Sequence, residues 1–297
     1  MDDLLYTDIS GNFNEFIATN KGWFSPVDIR REYDIASDEG KTILRELLKE
    51  ALEGKVLEHE GLKYRVVDTD CREIDWFNAD EKQYIELNLP FRLHEYLKLF
   101  AGVVVITGEK GKGKTAFMYD TIFRNINPER PQHLFASDNI EVEIRERFLS
   151  ILEDKNMALP GPELLRVWER HSNFADVIVR DGINYIDYLD VNTDFYSIGQ
   201  EIDDIHRATG NGITFIGLQK NPKEKLGVGG IYSWKKSQVY IVLAEPGDSA
   251  IAEQWQGELI LKRTRGRVDK LMDPTGWKRY YYIQEGFKFI AEANWRR

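Results

Sequence analysis

The run Gly108-Glu109-Lys110-Gly111-Lys112-Gly113-Lys114-Thr115, with Ala116 behind it, has the spacing G-x4-G-K-[ST]. That spacing makes a phosphate-binding loop when a buried strand precedes it and a helix follows. The neighbours read that way, since Val103 to Thr107 is an apolar β-run and residues 114–126 have a helical pattern. Glycines let backbone N–H groups curl around phosphates, and a helix N-terminus adds its positive end. Lys114 is therefore expected to reach the β- and γ-phosphates, and the Thr115 hydroxyl to ligate Mg²⁺. ATP and Mg²⁺ are the expected ligands, with residues 108–116 as the binding segment. Lys110 and Lys112 share the loop, and a solvated role is the alternative for both.

Such a loop needs a carboxylate at the end of a neighbouring strand to hold the metal through water. Asp187, closing Ile183-Asn-Tyr-Ile186, is favoured over Asp181 in a turn-like setting and Asp190 beyond the strand. Hydrolysis also needs a group that orients and deprotonates water. Asp138 follows Gln132 to Ser137, the run after the phosphate-loop helix, and is the candidate. Capping of the helix that starts near Ile140 is an equal alternative for it, shared with Ser137 and Asn139.

The elements that must position these groups alternate as strands and helices from Gly102 onward, the pattern of a parallel α/β sheet. Strands are expected at Val103–Thr107, Gln132–Phe135, Ile183–Asp187, Ile213–Leu218, Val239–Ala244, Glu258–Thr264 and Lys278–Ile283. Helices are expected at about 114–126, 140–153, 162–171 and 195–209. Ala175 to Val179 has strand character without room for a crossover. Residues 1–68 read as a separate module: a helix over Asn12–Asn20, a second opened by Ser25-Pro26, and a third capped by Ser37. A hairpin turning at Glu60-Gly61 completes it. Three helices and a hairpin resemble a winged helix-turn-helix; duplex DNA binding and protein docking are both open for it. Residues 69–100 read as a linker, and 101–297 as the catalytic domain.

Together these motifs resemble the ATPase domain of DnaB-like replicative helicases, within the RecA-like group, over about residues 90–285. Ile186-Asp-Tyr-Leu189 is similar to that family's Mg²⁺-binding strand, and Phe135-Ala-Ser-Asp138-Asn139 to its strand ending in Ser and a catalytic Glu. Ile216-Gly-Leu-Gln219-Lys-Asn221 resembles the strand ending in a γ-phosphate-sensing Gln, and Leu261-Lys-Arg-Thr-Arg265-Gly266 a late strand bearing basic fingers. The resemblance implies catalytic roles for Lys114, Asp138, Asp187 and Gln219, with Lys262, Arg263 or Arg265 supplied to a neighbouring subunit. It also implies that Lys220, Lys223, Lys225, Lys235 and Lys236 face a strand of nucleic acid, in a loop whose glycines permit movement and whose aromatics can stack on bases. Asp stands where the family has Glu, the family's helical N-terminal domain is replaced by residues 1–68, and the fingers do not align uniquely. These departures fit a divergent member of phage or mobile-element type.

The expected function is a Mg²⁺-dependent ATPase, a helicase or translocase on single-stranded DNA, assembled as a homo-oligomeric ring, a hexamer, with composite sites. The alternative is an ATP-switched protein that assembles on DNA and recruits partners without unwinding. A metabolic P-loop kinase is a third, weaker reading. Residues 1–68 could hold a replication or mobile-element protein partner. Fifty acidic against 40 basic residues give a net charge of −10, which argues against a general nucleic-acid coat. The cations are concentrated: ten against four acids in 259–297, and five against one in 220–236. Cys71 is the single cysteine, no apolar run approaches the roughly 20 residues of a membrane span, and Met-Asp-Asp-Leu-Leu lacks a basic leader. A cytoplasmic protein with no membrane partner is expected.

Overall fold

The structure is a computed structural model describing residues 3–68, 77, 84–137, 141–190, 197–247 and 249–297. The chain divides into two compact units, Met1–Ala79 and Asp80–Arg297. No described helix is long and apolar enough to cross a membrane.

In the first unit, helices α1 (Asp3–Thr19), α2 (Pro26–Glu32) and α3 (Asp38–Glu53) precede a hairpin of β1 (Leu57–Glu60) and β2 (Lys63–Val66). α1 starts earlier than its expected bounds of Asn12–Asn20. Its buried Ile9, Phe13 and Phe16 fall at i, i+4 and i+7, one stripe that carries Gly11 within the helix. α3 begins where Ser37 Oγ accepts the Gly40 N–H at 3.0 Å, and buries Ile43, Leu44, Leu47 and Leu48. Phe24 and Tyr64 exchange two backbone bonds, at 2.9 and 2.7 Å, adding a short third strand to the hairpin.

The second unit is built on one sheet, ordered β11-β10-β9-β8-β3-β7-β6-β4-β5. The parallel part contains β3 (Gly102–Gly108), β4 (Gln132–Ala136), β5 (Leu165–Glu169), β6 (Ile183–Leu189), β7 (Ile213–Gln219) and β8 (Val239–Ala244). β9 (Gly257–Thr264), β10 (Lys278–Gln284) and β11 (Lys288–Ala291) extend it antiparallel. Strands buried on both faces must be continuously apolar, and β3 and β8 are buried at every position. On one face Val104, Ile106, Tyr185 and Phe215 pack with Phe117, Met118 and Ile122 of α4 (Lys114–Arg124) and Ile151 of α5 (Glu141–Lys155). On the other, Val103, Val105, Ile216 and Tyr240 pack with Ile198, Ile202 and Ile205 of α6 (Ser197–Thr209). A largely parallel sheet with helices on both faces is the α/β architecture expected from the sequence.

Three expectations for this unit need correction. The helix expected at 162–171 is β5: Leu165–Glu169 pairs with β4 from Gln132↔Leu165 to Ala136↔Glu169, and the ladder outweighs local helix propensity. The strand-like Ala175–Val179 instead begins inside a single 3-10 turn, Phe174–Asp176. Residues 84–100, expected within the linker, bury Leu87, Leu89, Leu93, Leu97 and Leu99 in the core of the second unit. β11 was not expected from the sequence.

Candidate active site

Strand register decides which side chains can meet. Gly108, the last residue of β3, lies opposite Gln219 of β7 and Leu243 of β8, while Ala136 of β4 lies opposite Asp187 of β6. The chain leaves β3 for β4 on one side, beyond β7 and β6, and later places β8 on the other. A crevice at the carboxyl ends of parallel strands where the order reverses is the usual ligand position in such sheets. A cleft of about 590 Å³ lies there, lined by Lys110, Gly113, Lys114, Thr115, Ala116, Arg147, Asp187, Asp190, Gln219, Gln256, Ile283 and Gly286 among others.

The loop between β3 and α4 is shaped by close approach. A Cβ on Gly108 would stand 2.6 Å from the Leu243 carbonyl oxygen, so β8 could not lie where it does. Gly113 has φ +94°, and a Cβ there would meet Ile283 Cδ1 at 2.5 Å. The β10–β11 hairpin thus closes on the loop, and the Tyr281 hydroxyl donates to the Lys112 carbonyl at 2.7 Å. Lys112 is held rather than solvated: its Nζ donates to the Gln256 carbonyl at 3.0 Å.

Lys114 is buried and has three oxygen partners. Its Nζ donates to Gly108 O at 2.8 Å, Glu109 O at 3.1 Å and Gln219 Oε1 at 3.1 Å. Burial pushes its ammonium down to about 8, opposed by the negative charges of Asp187 and Glu109. Thr115 Oγ1 donates to Asp187 Oδ1 at 3.1 Å, and Asp187 is 2 % exposed. Asp187 is held by more than that contact, since Ser137 N–H donates to its carbonyl at 3.0 Å. The peptide bond Asp187–Tyr188 is cis. Of the two alternatives to Asp187, Asp181 has φ +61° and its Oδ1 accepts the Asn211 N–H at 2.6 Å, a turn role away from the cleft. Asp190 does line the cleft. Asp138 and its neighbour Asn139 lie outside the described residues.

The five lysines assigned to nucleic acid separate. Lys223, Lys225, Lys235 and Lys236 are exposed, with Lys236 Nζ 3.5 Å from Asp203 of α6. Lys220 requires correction as a strand-facing residue: it is 4 % exposed, and its Nζ donates to Glu109 Oε1 at 2.7 Å within the phosphate loop. The rest of the loop is pinned beneath its tip. Val228 N–H donates to the Gln219 carbonyl at 2.8 Å, and the Tyr240 hydroxyl accepts the Gly227 N–H and pairs with Ser233 Oγ, both at 2.9 Å.

The basic cluster of β9 stands away from the cleft. Thr264 pairs with Val239, where β8 begins, whereas Leu243 near the end of β8 pairs with Gly108. Four strand residues separate these levels, about 13 Å, and none of Lys262, Arg263 and Arg265 lines the cleft of their own chain. Arg263 is tied inward, donating to the Trp234 and Lys235 carbonyls at 2.8 and 3.1 Å. Lys262 has its ammonium lowered by burial and then by the nearby cations Lys278 and Lys225. Arg265 is exposed.

Arg147 of α5, Gln256 and the β10–β11 turn entered the cleft without a sequence signal. Gln256 Oε1 accepts the Ile283 N–H at 2.8 Å, a contact between segments that no local pattern announces. Among the described residues no cluster of three or more His, Cys, Asp or Glu side chains could hold a metal by itself. The fit to Mg²⁺ therefore rests on the Thr115–Asp187 pair beside the glycine-shaped loop.

No family model matches the chain, and no curated protein does. Among solved structures it is similar to a KaiC-like protein from the hyperthermophilic archaeon Pyrococcus horikoshii, at 14% identity and a TM-score of 0.46, over 71% of this chain and 99% of that one.

Proposed function

We propose that this chain is a Mg²⁺-dependent ATPase that acts on single-stranded DNA as a helicase or translocase, in a ring with composite sites between subunits. The observation that carries the ATPase reading is the convergence of Lys114, Thr115, Asp187 and Gln219 at the carboxyl ends of β3, β6 and β7. The loop N–H groups and Lys114 would hold the β- and γ-phosphates, while Thr115 and Asp187 would hold Mg²⁺. The metal, when bound, neutralises developing charge on the transferred phosphoryl group. Asp138 retains its assignment as the residue that orients water, on sequence grounds.

Gln219 accepts a hydrogen bond from Lys114, and its carbonyl anchors Val228 of the following loop. A phosphate that draws Lys114 away releases the Gln219 side chain, so nucleotide state and loop position share one residue. Exposed Lys223 and Lys225 at the tip are the residues assigned to the strand, with Lys235 and Lys236 farther along. Lys262, Arg263 and Arg265, remote from their own cleft, are assigned to a neighbour's phosphates, where a cation stabilises charge in phosphoryl transfer. The first unit, with its three helices, hairpin and bridging Phe24, is assigned as a winged-helix-like module for a replication or mobile-element partner.

Steady-state hydrolysis of wild type and Lys114→Ala, with and without single-stranded DNA and across protein concentration, tests the proposal. The expected result is turnover that needs Lys114, rises with DNA and climbs faster than linearly with protein. Intact turnover in Lys114→Ala refutes it. ATP binding with negligible turnover under every condition selects the second reading, an ATP-switched assembly and recruitment protein, which the Asp at position 138 favours.

A further inference from the structure

The phosphate loop contains a carboxylate, Glu109, directly after Gly108. A negative charge in a loop built to receive a polyanion opposes binding unless something cancels it. Lys220 Nζ lies 2.7 Å from Glu109 Oε1, with side chains only 4 % and 14 % exposed. The approach is fixed by backbone: Lys220 N–H donates to the Gly108 carbonyl at 3.0 Å, so the residue after the Gln219 strand is fastened to the first residue of the loop. Lys220 Nζ also donates to the Asn221 carbonyl at 3.2 Å, which uses a second of its three protons inside the protein. Lys114 feels the same carboxylate, because the Glu109 charge favours its ammonium form. Removing Lys220 would leave a poorly hydrated anion beside the phosphates, and would give Lys114 a competing partner.

We propose that Lys220 is a positioning residue of the nucleotide site: it neutralises Glu109, so that the loop accepts a polyphosphate and Lys114 stays available to it. This rests on the phosphate-loop reading above. It moves Lys220 from strand contact to nucleotide binding, and it makes the start of the lysine-rich loop part of the phosphate site.

Equilibrium binding of a fluorescent ATP analogue with Mg²⁺, to Lys220→Met, Glu109→Gln and the double variant of the full chain, tests the proposal. An uncompensated unit charge beside a bound phosphate at intermediate dielectric changes affinity by roughly 10- to 100-fold. Lys220→Met is expected to weaken binding by about that factor, and Glu109→Gln, which leaves Lys220 unopposed, to tighten it several-fold. The double variant, with no charge on either side, is expected within about threefold of wild type, a rescue that lost packing cannot produce. It also keeps the test open if Lys220→Met alone fails to fold, since it buries no unpaired charge. Wild-type affinity in Lys220→Met, or a double variant as weak as Lys220→Met, overturns the proposal. Lys114→Ala in the same assay separates the two layers. Binding that survives Lys114→Ala refutes the phosphate-loop reading itself. Binding lost there yet intact in Lys220→Met refutes the charge compensation alone.

Discussion

The lowered ammonium of Lys114 makes nucleotide affinity depend on pH in a range where few other groups titrate. Burial holds it at about 8, against an ordinary value of 10.5. Phosphate oxygens favour the charged form, so binding raises this value and takes up a proton wherever the free site is deprotonated. The affinity supplied by the ammonium is full below pH 8 and is lost as pH rises through it. With a value of about 8, roughly three-quarters of chains carry the charge at pH 7.5 and about 3% at pH 9.5, a roughly 25-fold fall in affinity. That corresponds to about 1.9 kcal/mol. Mg²⁺-bound ATP is fully ionised across this range, so the ligand adds no slope of its own. Calorimetric titration at both pH values, in buffers of different ionisation enthalpy, reads the affinity and the proton count together. The expected result at pH 9.5 is uptake of nearly one proton. Lys114→Arg, which keeps its charge throughout, is expected to lose that pH dependence. Affinity constant within twofold from pH 7.5 to 9.5, or the same slope in Lys114→Arg, refutes the reasoning.

Asp187→Asn is expected to leave nucleotide binding within several-fold of wild type while lowering turnover at least about 100-fold, because it removes the carboxylate assigned to Mg²⁺ beside Thr115; rapid-quench turnover against Mg²⁺ concentration checks this. Gly113→Ala puts a side chain at φ +94° and into Ile283 and Phe289, and is expected to cost about 1–3 kcal/mol of stability together with nucleotide binding. Urea unfolding read beside nucleotide affinity checks both losses.

Local chemistry written in consecutive residues was legible without coordinates. The G-x4-G-K-[ST] run, the strand before it and the helix after it are short-range features, and β3 and α4 lie where their patterns place them. The same holds for β6, β7 and β8, whose largely apolar runs reflect burial on both faces. The stretch Leu165–Glu169 misled, because its residues suit a helix and only the edge of β4 makes them a strand. Leu87 to Leu99 looked like a linker, because their apolar residues gain meaning only once a core exists to receive them.

Side-chain pairings across the sheet were beyond the sequence. Glu109 and Lys220 are 111 positions apart, and nothing in either neighbourhood signals that parallel pairing of β3 with β7 brings them together. In the sequence the lysine reads as one of five assigned to a nucleic-acid strand, and the register of two strands makes it a buried partner of the phosphate loop. Lys262, Arg263 and Arg265 were legible as a basic strand end, while the antiparallel sense of β9 decided that this end lies away from its own cleft. The sequence alone determined which reactive groups the protein possesses and the strand–loop–helix unit that presents Lys114 and Thr115, because a helix terminus and a glycine turn are encoded over a few residues. Only the tertiary structure decided which charges meet, because strand order and register are set by burial of the whole sheet.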